Sequence, residues 1–275
     1  MNHTFLERYF ERIGYTQSPK VDRQTLQDLH LLHLQCIPYE NLDVFCHQPV
    51  RLDRQSLTEK LLLRRRGGYC FEQNGLFLMV LEELGFRCRA NLARVHRNRP
   101  EPGGRTHQVN LVEVDGRTWL CDVGFGGSGF RQPLLLQAGV ESEQLGERYR
   151  LEERDVHGFY LLRQSGDAWQ PLYTFNIEQP LPIDIEIGNF YASNCPDYVF
   201  RKTIMGTRMT TQGRVTLLDH TFKHFDLVRG TVETSCVTDV ASYVDRLREL
   251  LGVALNETEQ ARLGIHFDRL APPDT

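Results

Sequence analysis

The sequence contains no apolar run approaching the ~18 to 20 residues that a bilayer-spanning helix needs, which excludes a helical membrane anchor. It lacks a basic excess. Its 32 Lys and Arg stand against 36 Asp and Glu, a formal charge of -4, so no field is present for holding nucleic acid or an anionic lipid surface. Its seven cysteines (Cys36, Cys46, Cys70, Cys88, Cys121, Cys195 and Cys236) include no CxxC pair. They are odd in number and scattered, which argues against a disulfide framework and a zinc knuckle. The opening MNHTFLERYFERIGY interrupts its apolar residues with Glu and Arg and has no basic segment ahead of an apolar core, so it does not read as a secretory signal. These absences predict a cytoplasmic protein with reduced thiols and without a metal, nucleic-acid or membrane partner.

What is present is an ordinary globular composition: 40% hydrophobic, 25% charged and 10% aromatic residues, with no repeat or low-complexity tract. A chain of 275 residues, at roughly 100 to 200 residues per domain, makes two or three domains. From Phe5 to Gly85 apolar residues recur at helical spacing, as in Leu26, Leu29, Leu32 and Cys36. From Cys88 to Ile187 the texture changes to short runs broken by turn signals such as Asp115-Gly116 and Ser165-Gly166-Asp167, which predicts a β-barrel or sandwich. The prolines of Gln179-Pro-Leu-Pro-Ile-Asp predict a crossover. Strands over 214–218, 223–228 and 231–237 follow, then a helix over 239–251, capped by Thr238 and stopped at Gly252. The expected class is α+β and multidomain: a helical part over 1–87, a β part over 88–190 and a mixed α/β part over 191–275. The tail Ala271-Pro-Pro-Asp-Thr is expected to fray.

The stretch Gly67-Gly-Tyr-Cys-Phe-Glu leads into an apolar helical face of Leu76, Phe77, Val80, Leu81 and Leu84, ended by Gly85. Cys70 therefore falls in a first helical turn, where unpaired N–H groups and the positive dipole end suit a nucleophilic thiolate. The other reading is a small buried hydrophobe. A nucleophile needs a base, and the base an orienting partner. In THQVNLVEVDGRTWLCDVGFGG, Asp115-Gly116 predicts a two-residue type I′ hairpin with Val114 opposite Arg117. Counted back in register, His107 and Asp122 lie diagonally on one face, within about 7 to 8 Å, close enough for an imidazole and a carboxylate to meet. Phe125, between two glycines, is lifted beside them or packs as a core aromatic. Gly124, Gly126 and Gly127 form a loop of the kind that cradles phosphate, although no following helix or lysine supports that reading. His220 and His224 have the spacing of a metal pair, but they lie on a strand and have no evident third ligand.

The motifs Arg66-Gly-Gly-Tyr-Cys70-Phe-Glu-Gln-Asn74, Ile37-Pro-Tyr-Glu-Asn-Leu42, Thr106-His107-Gln-Val-Asn-Leu111 and Cys121-Asp122-Val-Gly-Phe125-Gly resemble, in order, those of the arylamine N-acetyltransferases. Asn189-Phe-Tyr-Ala-Ser193 and Gly213-Arg-Val-Thr-Leu217 carry the likeness into the last third. The resemblance implies an N-terminal helical bundle, a central β-barrel and a C-terminal α/β lid, with a Cys70-His107-Asp122 triad as in cysteine proteases. It further implies acetyl-CoA as co-substrate, coenzyme A contacts at Gly124, Gly126 and Gly127, and acceptor contacts at Phe125, Tyr39, Val95 and Phe200. Arylamines, arylhydrazines and N-hydroxyarylamines are the implied acceptors. A buried Glu40–Arg66 pair is implied as support for the nucleophile loop, against a solvated Arg64-Arg65-Arg66 face. Tyr69 and Tyr39 depart from residues common in the family. A cysteine hydrolase or transglutaminase-like enzyme uses the same three residue types in the same chain order and differs in its acyl source.

Overall fold

The computed structural model describes residues 3–96, 101–154 and 156–270. Local signals start and stop the first helices. In α1 (Phe5–Ile13) Thr4 and Glu7 cap each other reciprocally, and Gly14, at φ 71°, ends the helix. There follow α2 (Arg23–Cys36), a two-residue strand β1 (Tyr39–Glu40), α3 (Leu42–Phe45), α4 (Arg54–Leu57, continued by a π-helical turn Thr58–Leu63) and α5 (Cys70–Glu83). Tyr9, Leu26, Leu29, Leu61, Phe77 and Val80 fill the bundle, whose core runs on into Val112, Trp119 and Cys121 of the sheet beside it.

That sheet comprises β2 (Arg87–Val95), β3 (Arg105–Val114), β4 (Arg117–Cys121), β5 (Leu134–Leu135), β6 (Glu141–Gln144), β7 (Glu147–Arg154), β8 (Gly158–Ser165) and β9 (Ala168–Phe175). Its antiparallel order is β5-β4-β3-β2-β9-β8-β7-β6, and a bridge from Ala138 to Leu151 nearly closes it into a barrel. The predicted hairpin forms: Asp115 and Gly116 have φ 53° and 69°, and Val114 pairs with Arg117.

The last part opens with α6 (Pro182–Asn194) and a 3-10 turn (Val199–Arg201). It continues through β10 (Met205–Met209), β11 (Gly213–Leu218), β12 (Thr221–Asp226), β13 (Thr231–Cys236), α7 (Val240–Arg246, continued by a π-helical turn Leu247–Leu251) and α8 (Glu257–Phe267). Its sheet order is β1-β10-β11-β12-β13. The N-terminal segment therefore supplies the edge strand of the lid, with Tyr39 opposite Thr207. Three readings are revised. Asp239, not Thr238, caps α7 by accepting the Ser242 N–H. The two-proline crossover opens a helix, because Pro182 sits in the first turn where no N–H is needed, and residue 190 falls inside that helix. β10 and α8 had no counterpart in the sequence reading. The expected fraying of 271–275 lies outside the described residues. Among those described, no helix is long and apolar enough to cross a membrane.

Candidate active site

The nucleophile loop is held from below before α5 begins. Gly68 donates its N–H to the Pro38 carbonyl at 3.3 Å and accepts from Glu40 N–H at 3.0 Å. Arg66 is 1% exposed and binds Glu40, also 1% exposed, at 2.7 Å; it binds Asp43 at 3.2 Å and further ion-pairs with Glu259 of α8. The buried pair, not the solvated face, is what forms. Tyr69 is the N-cap of α5, and Glu72 reaches back to its N–H at 3.1 Å. Burial pushes the Glu72 carboxyl up, opposed by Lys60, whose ammonium bonds Glu72 and Asp43 at 2.7 Å each. Cys70 thus opens the helix on a fixed platform, 3% exposed.

The hairpin of β3 and β4 brings the other two residues to it. His107 Nε2 lies 2.7 Å from Asp122 Oδ2, both groups buried. The second Asp122 oxygen accepts from Asn74 Nδ2 at 2.9 Å and Gly124 N–H at 3.0 Å. Burial disfavours the Asp122 carboxylate, but His107 and these donors outweigh it and hold the carboxyl below its ordinary range. Burial pulls the His107 imidazole down; Asp122 and a hydrogen bond with the Cys70 thiol outweigh it and raise His107 to about 10. With Nε2 committed to Asp122, Nδ1 is the ring nitrogen left for the sulfur. The thiol also lies 3.7 Å from the Thr106 carbonyl. Gly124 permits the approach of hairpin to helix: a Cβ there would stand 2.8 Å from Cys70 Cα and from Asn74 Nδ2.

Two residues behind Asp122 escaped the sequence reading. Asn74 lies one helical turn beyond Cys70 and, besides Asp122, donates to the Gln108 carbonyl at 2.7 Å and accepts from Val123 N–H at 3.0 Å. Its i, i+4 spacing from Cys70 was the available signal. His30 Nε2 receives the Asp122 N–H at 3.1 Å, and its Nδ1 lies 3.0 Å from the Arg131 carbonyl. A ring that accepts at Nε2 must be neutral and carry its proton on Nδ1. Burial agrees, lowering His30 to about 4. Nothing in the sequence around His30 marks this role.

Eight of the nine other proposed site residues line one cavity of about 420 Å³ with Cys70: Tyr39, Val95, His107, Gly124, Phe125, Gly126, Gly127 and Phe200 form its walls, and the ninth, Asp122, stands directly behind His107. Phe125 meets the His107 ring edge to face at 5.4 Å, and Tyr39 meets Phe200 at 6.5 Å. Two of the glycine N–H groups are already engaged, Gly124 by Asp122 and Gly127 by Thr207 Oγ1 at 2.8 Å. Their contribution to this wall is the lack of side chains. A larger cavity of about 1030 Å³ runs between α5 and α6, but none of the triad lines it. His220 is committed to the Val237 carbonyl at 2.9 Å, and no group of three or more metal-ligating side chains occurs among the described residues.

The chain is similar along its length to known proteins. The N-acetyltransferase family model matches residues 22–260. The arylamine N-acetyltransferase of Escherichia coli K12 is 37% identical over 97% of this chain and 94% of its own. A Salmonella typhimurium LT2 protein named arylamine N-acetyltransferase / N-hydroxyarylamine O-acetyltransferase is 35% identical over 93% and 91%. The solved structure of Mycobacterium marinum arylamine N-acetyltransferase in complex with CoA superposes with a TM-score of 0.89 at 34% identity, covering 96% of this chain and 99% of that one. With the fold, the bound relative and the family match agreeing along nearly its whole length, the chain belongs to the arylamine N-acetyltransferase family.

Proposed function

We propose that the protein carries the acetyl group of acetyl-CoA on Cys70 and passes it to arylamines, arylhydrazines or N-hydroxyarylamines. The observation that carries this reading is the 2.7 Å His107–Asp122 contact with Cys70 beside it in the wall of an aromatic-lined cavity. Cys70 Sγ attacks the thioester carbonyl while its proton passes to His107. The tetrahedral oxyanion is stabilised by first-turn N–H groups of α5, the Cys70 N–H among them. The carbon–sulfur bond to coenzyme A breaks, and the proton leaves on its thiol. The thioester exchange is close to balanced, so the acetyl group waits on the enzyme. An acceptor nitrogen, or the hydroxyl oxygen of an N-hydroxyarylamine, then attacks, His107 takes its proton, and that proton returns to the Cys70 sulfur as the thioester bond breaks. Asp122 fixes the tautomer and stabilises the charged ring throughout.

Phe125, Tyr39, Val95 and Phe200 are proposed to contact the acceptor, and the low wall of Gly124, Gly126 and Gly127 to leave room for coenzyme A. Two relatives support the substrates: the Salmonella protein by its name, the M. marinum one by its bound CoA. The seven free cysteines are in keeping with a reducing, cytoplasmic setting. The test is the intact mass after brief mixing with acetyl-CoA, before and after adding an arylamine. A single acetyl adduct on Cys70 that the amine discharges, absent in a folded Cys70→Ala variant, is expected. No adduct on a thiol that still alkylates would overturn the reading in favour of a hydrolase or another acyl donor.

A further inference from the structure

The cavity beside Cys70 has two walls from different parts of the fold. Thr106, His107 and the glycine loop belong to the barrel; Tyr198, Phe200 and Thr207 belong to the lid. Among the described residues, hydrogen bonds cross between these walls at two places. Tyr198 Oη donates to Thr106 Oγ1 at 2.7 Å, the usual length for a hydroxyl pair, and Gly127 N–H donates to Thr207 Oγ1 at 2.8 Å. The Tyr198 ring is wedged against Phe200 at 5.2 Å and Tyr191 of α6 at 5.6 Å, so its hydroxyl is held in one place. Thr106 is 9% exposed and immediately precedes His107, and its carbonyl is the one beside the Cys70 sulfur.

We propose that the Tyr198–Thr106 hydrogen bond fixes the width of the acceptor slot and makes Tyr198 a specificity-determining residue that discriminates against acceptors of more than one ring. This rests on the acetyl-transfer reading above. Both bonded side chains line the space an acceptor enters. The bond spans from a lid turn to a barrel strand, so its loss lets the Tyr198 turn swing away from Thr106 while the Gly127–Thr207 bond holds the rest of the wall, without disturbing Cys70, His107 or Asp122. A wider slot gains contact with a fused-ring amine and loses none with a small hydrazide. Acetylation of Cys70 precedes acceptor entry and is left alone.

The experiment compares kcat/KM for 2-naphthylamine and benzoic hydrazide in wild type, Tyr198→Phe, Thr106→Val and the double variant, with the acetyl-enzyme burst from acetyl-CoA measured in each. Tyr198→Phe removes a single oxygen, and Thr106→Val keeps the shape of its side chain. Each single variant is expected to shift the ratio about fivefold toward the naphthylamine, the scale of one lost hydrogen bond. The double variant should shift it no further, because both changes remove the same bond, and all bursts should match wild type. An unchanged ratio in Tyr198→Phe would overturn the proposal by showing that the hydroxyl does not set the slot. Equal losses for both acceptors with a reduced burst would overturn it as general damage to the site. A wild-type protein that forms no acetyl-enzyme removes the transfer reading itself, and the slot proposal falls with it.

Discussion

At Asp122, the side chain accepts from three donors and the backbone N–H donates to one ring. His107, Asn74 and Gly124 all point at its carboxylate, and its own N–H rests on His30. An amide in its place keeps an oxygen for Asn74 and Gly124 but turns its N–H toward His107 Nε2, which forces the other tautomer and cannot hold the imidazolium. Asp122→Asn is therefore expected to keep the hairpin and lose control of the His107 tautomer, with His107 falling from about 10 toward its ordinary value. The rate of acetyl transfer should drop about 10²- to 10⁴-fold, measured as single-turnover acetylation across pH. A variant within twofold of wild type would show that Asp122 does not orient the base. Gly124 is a second residue-scale test. The Cβ of Gly124→Ala would press on Cys70 Cα and Asn74, both at 2.8 Å, and push the hairpin off the helix start. A misplacement of about 1 Å is enough for a loss of roughly 10²-fold in kcat; an unaltered kcat would mean that the hairpin tolerates the shift.

Between elements, Lys60 on the turn after α4 ties Asp43 of α3 to Glu72 on α5. Glu72 in turn caps the helix that presents Cys70. Lys60→Met leaves buried Glu72 without its cation and Asp43 with Arg66 alone, and removing one partner from such a cluster costs about 3 to 5 kcal/mol. Urea unfolding at neutral pH should show this loss, and Lys60→Met combined with Glu72→Gln should recover part of it. A loss below about 1 kcal/mol would mean that the cluster relaxes into solvent. The elements differ in how far the sequence announces them. The β3–β4 hairpin was legible because Asp-Gly fixes a turn with both φ positive, and a period of two then fixes which side chains share a face. Cys70 was legible because two glycines and an apolar face locate a helix start. α8 opens on an Asn256–Glu259 capping box, and the prolines ahead of α6, which read as a crossover, fill a helical first turn. β10 offers no alternation to read: its burial follows from pairing with β1, contributed from more than 160 residues earlier.

The whole molecule is interlocked, and this sets how its stability responds to pH. β1 belongs to the lid sheet, Arg66 reaches Glu259 of α8, and the bundle core continues into the barrel, so unfolding one part exposes the buried groups of the others. On the acid side, burial lowers His30 to about 4 and His33 to about 3. Below about 6.5 the unfolded chain binds protons that these native rings refuse, so stability falls as pH drops through that window. Asp122 adds to the same limb: its folded-state carboxyl lies below its ordinary 3.8, so its contribution is present above that value and lost as pH falls further. On the alkaline side, His107 is raised to about 10, so its contribution is complete below 6.5 and lost as pH climbs to 10. Burial pushes the Cys46 and Cys88 thiols up to about 12, and unfolded thiols ionise first, which steepens the decline above about 9. The urea midpoint is therefore expected to peak near pH 6.5 and fall on both sides. In His107→Gln the fall between pH 7 and 10 should flatten, while the part of the acid limb set by His30 and His33 stays and the Asp122 contribution shrinks. A wild-type midpoint that stays level from pH 7 to 9 would show that the buried His107–Asp122 pair gives the folded state no net stability. The triad would then be held in place by the packing of bundle on barrel alone.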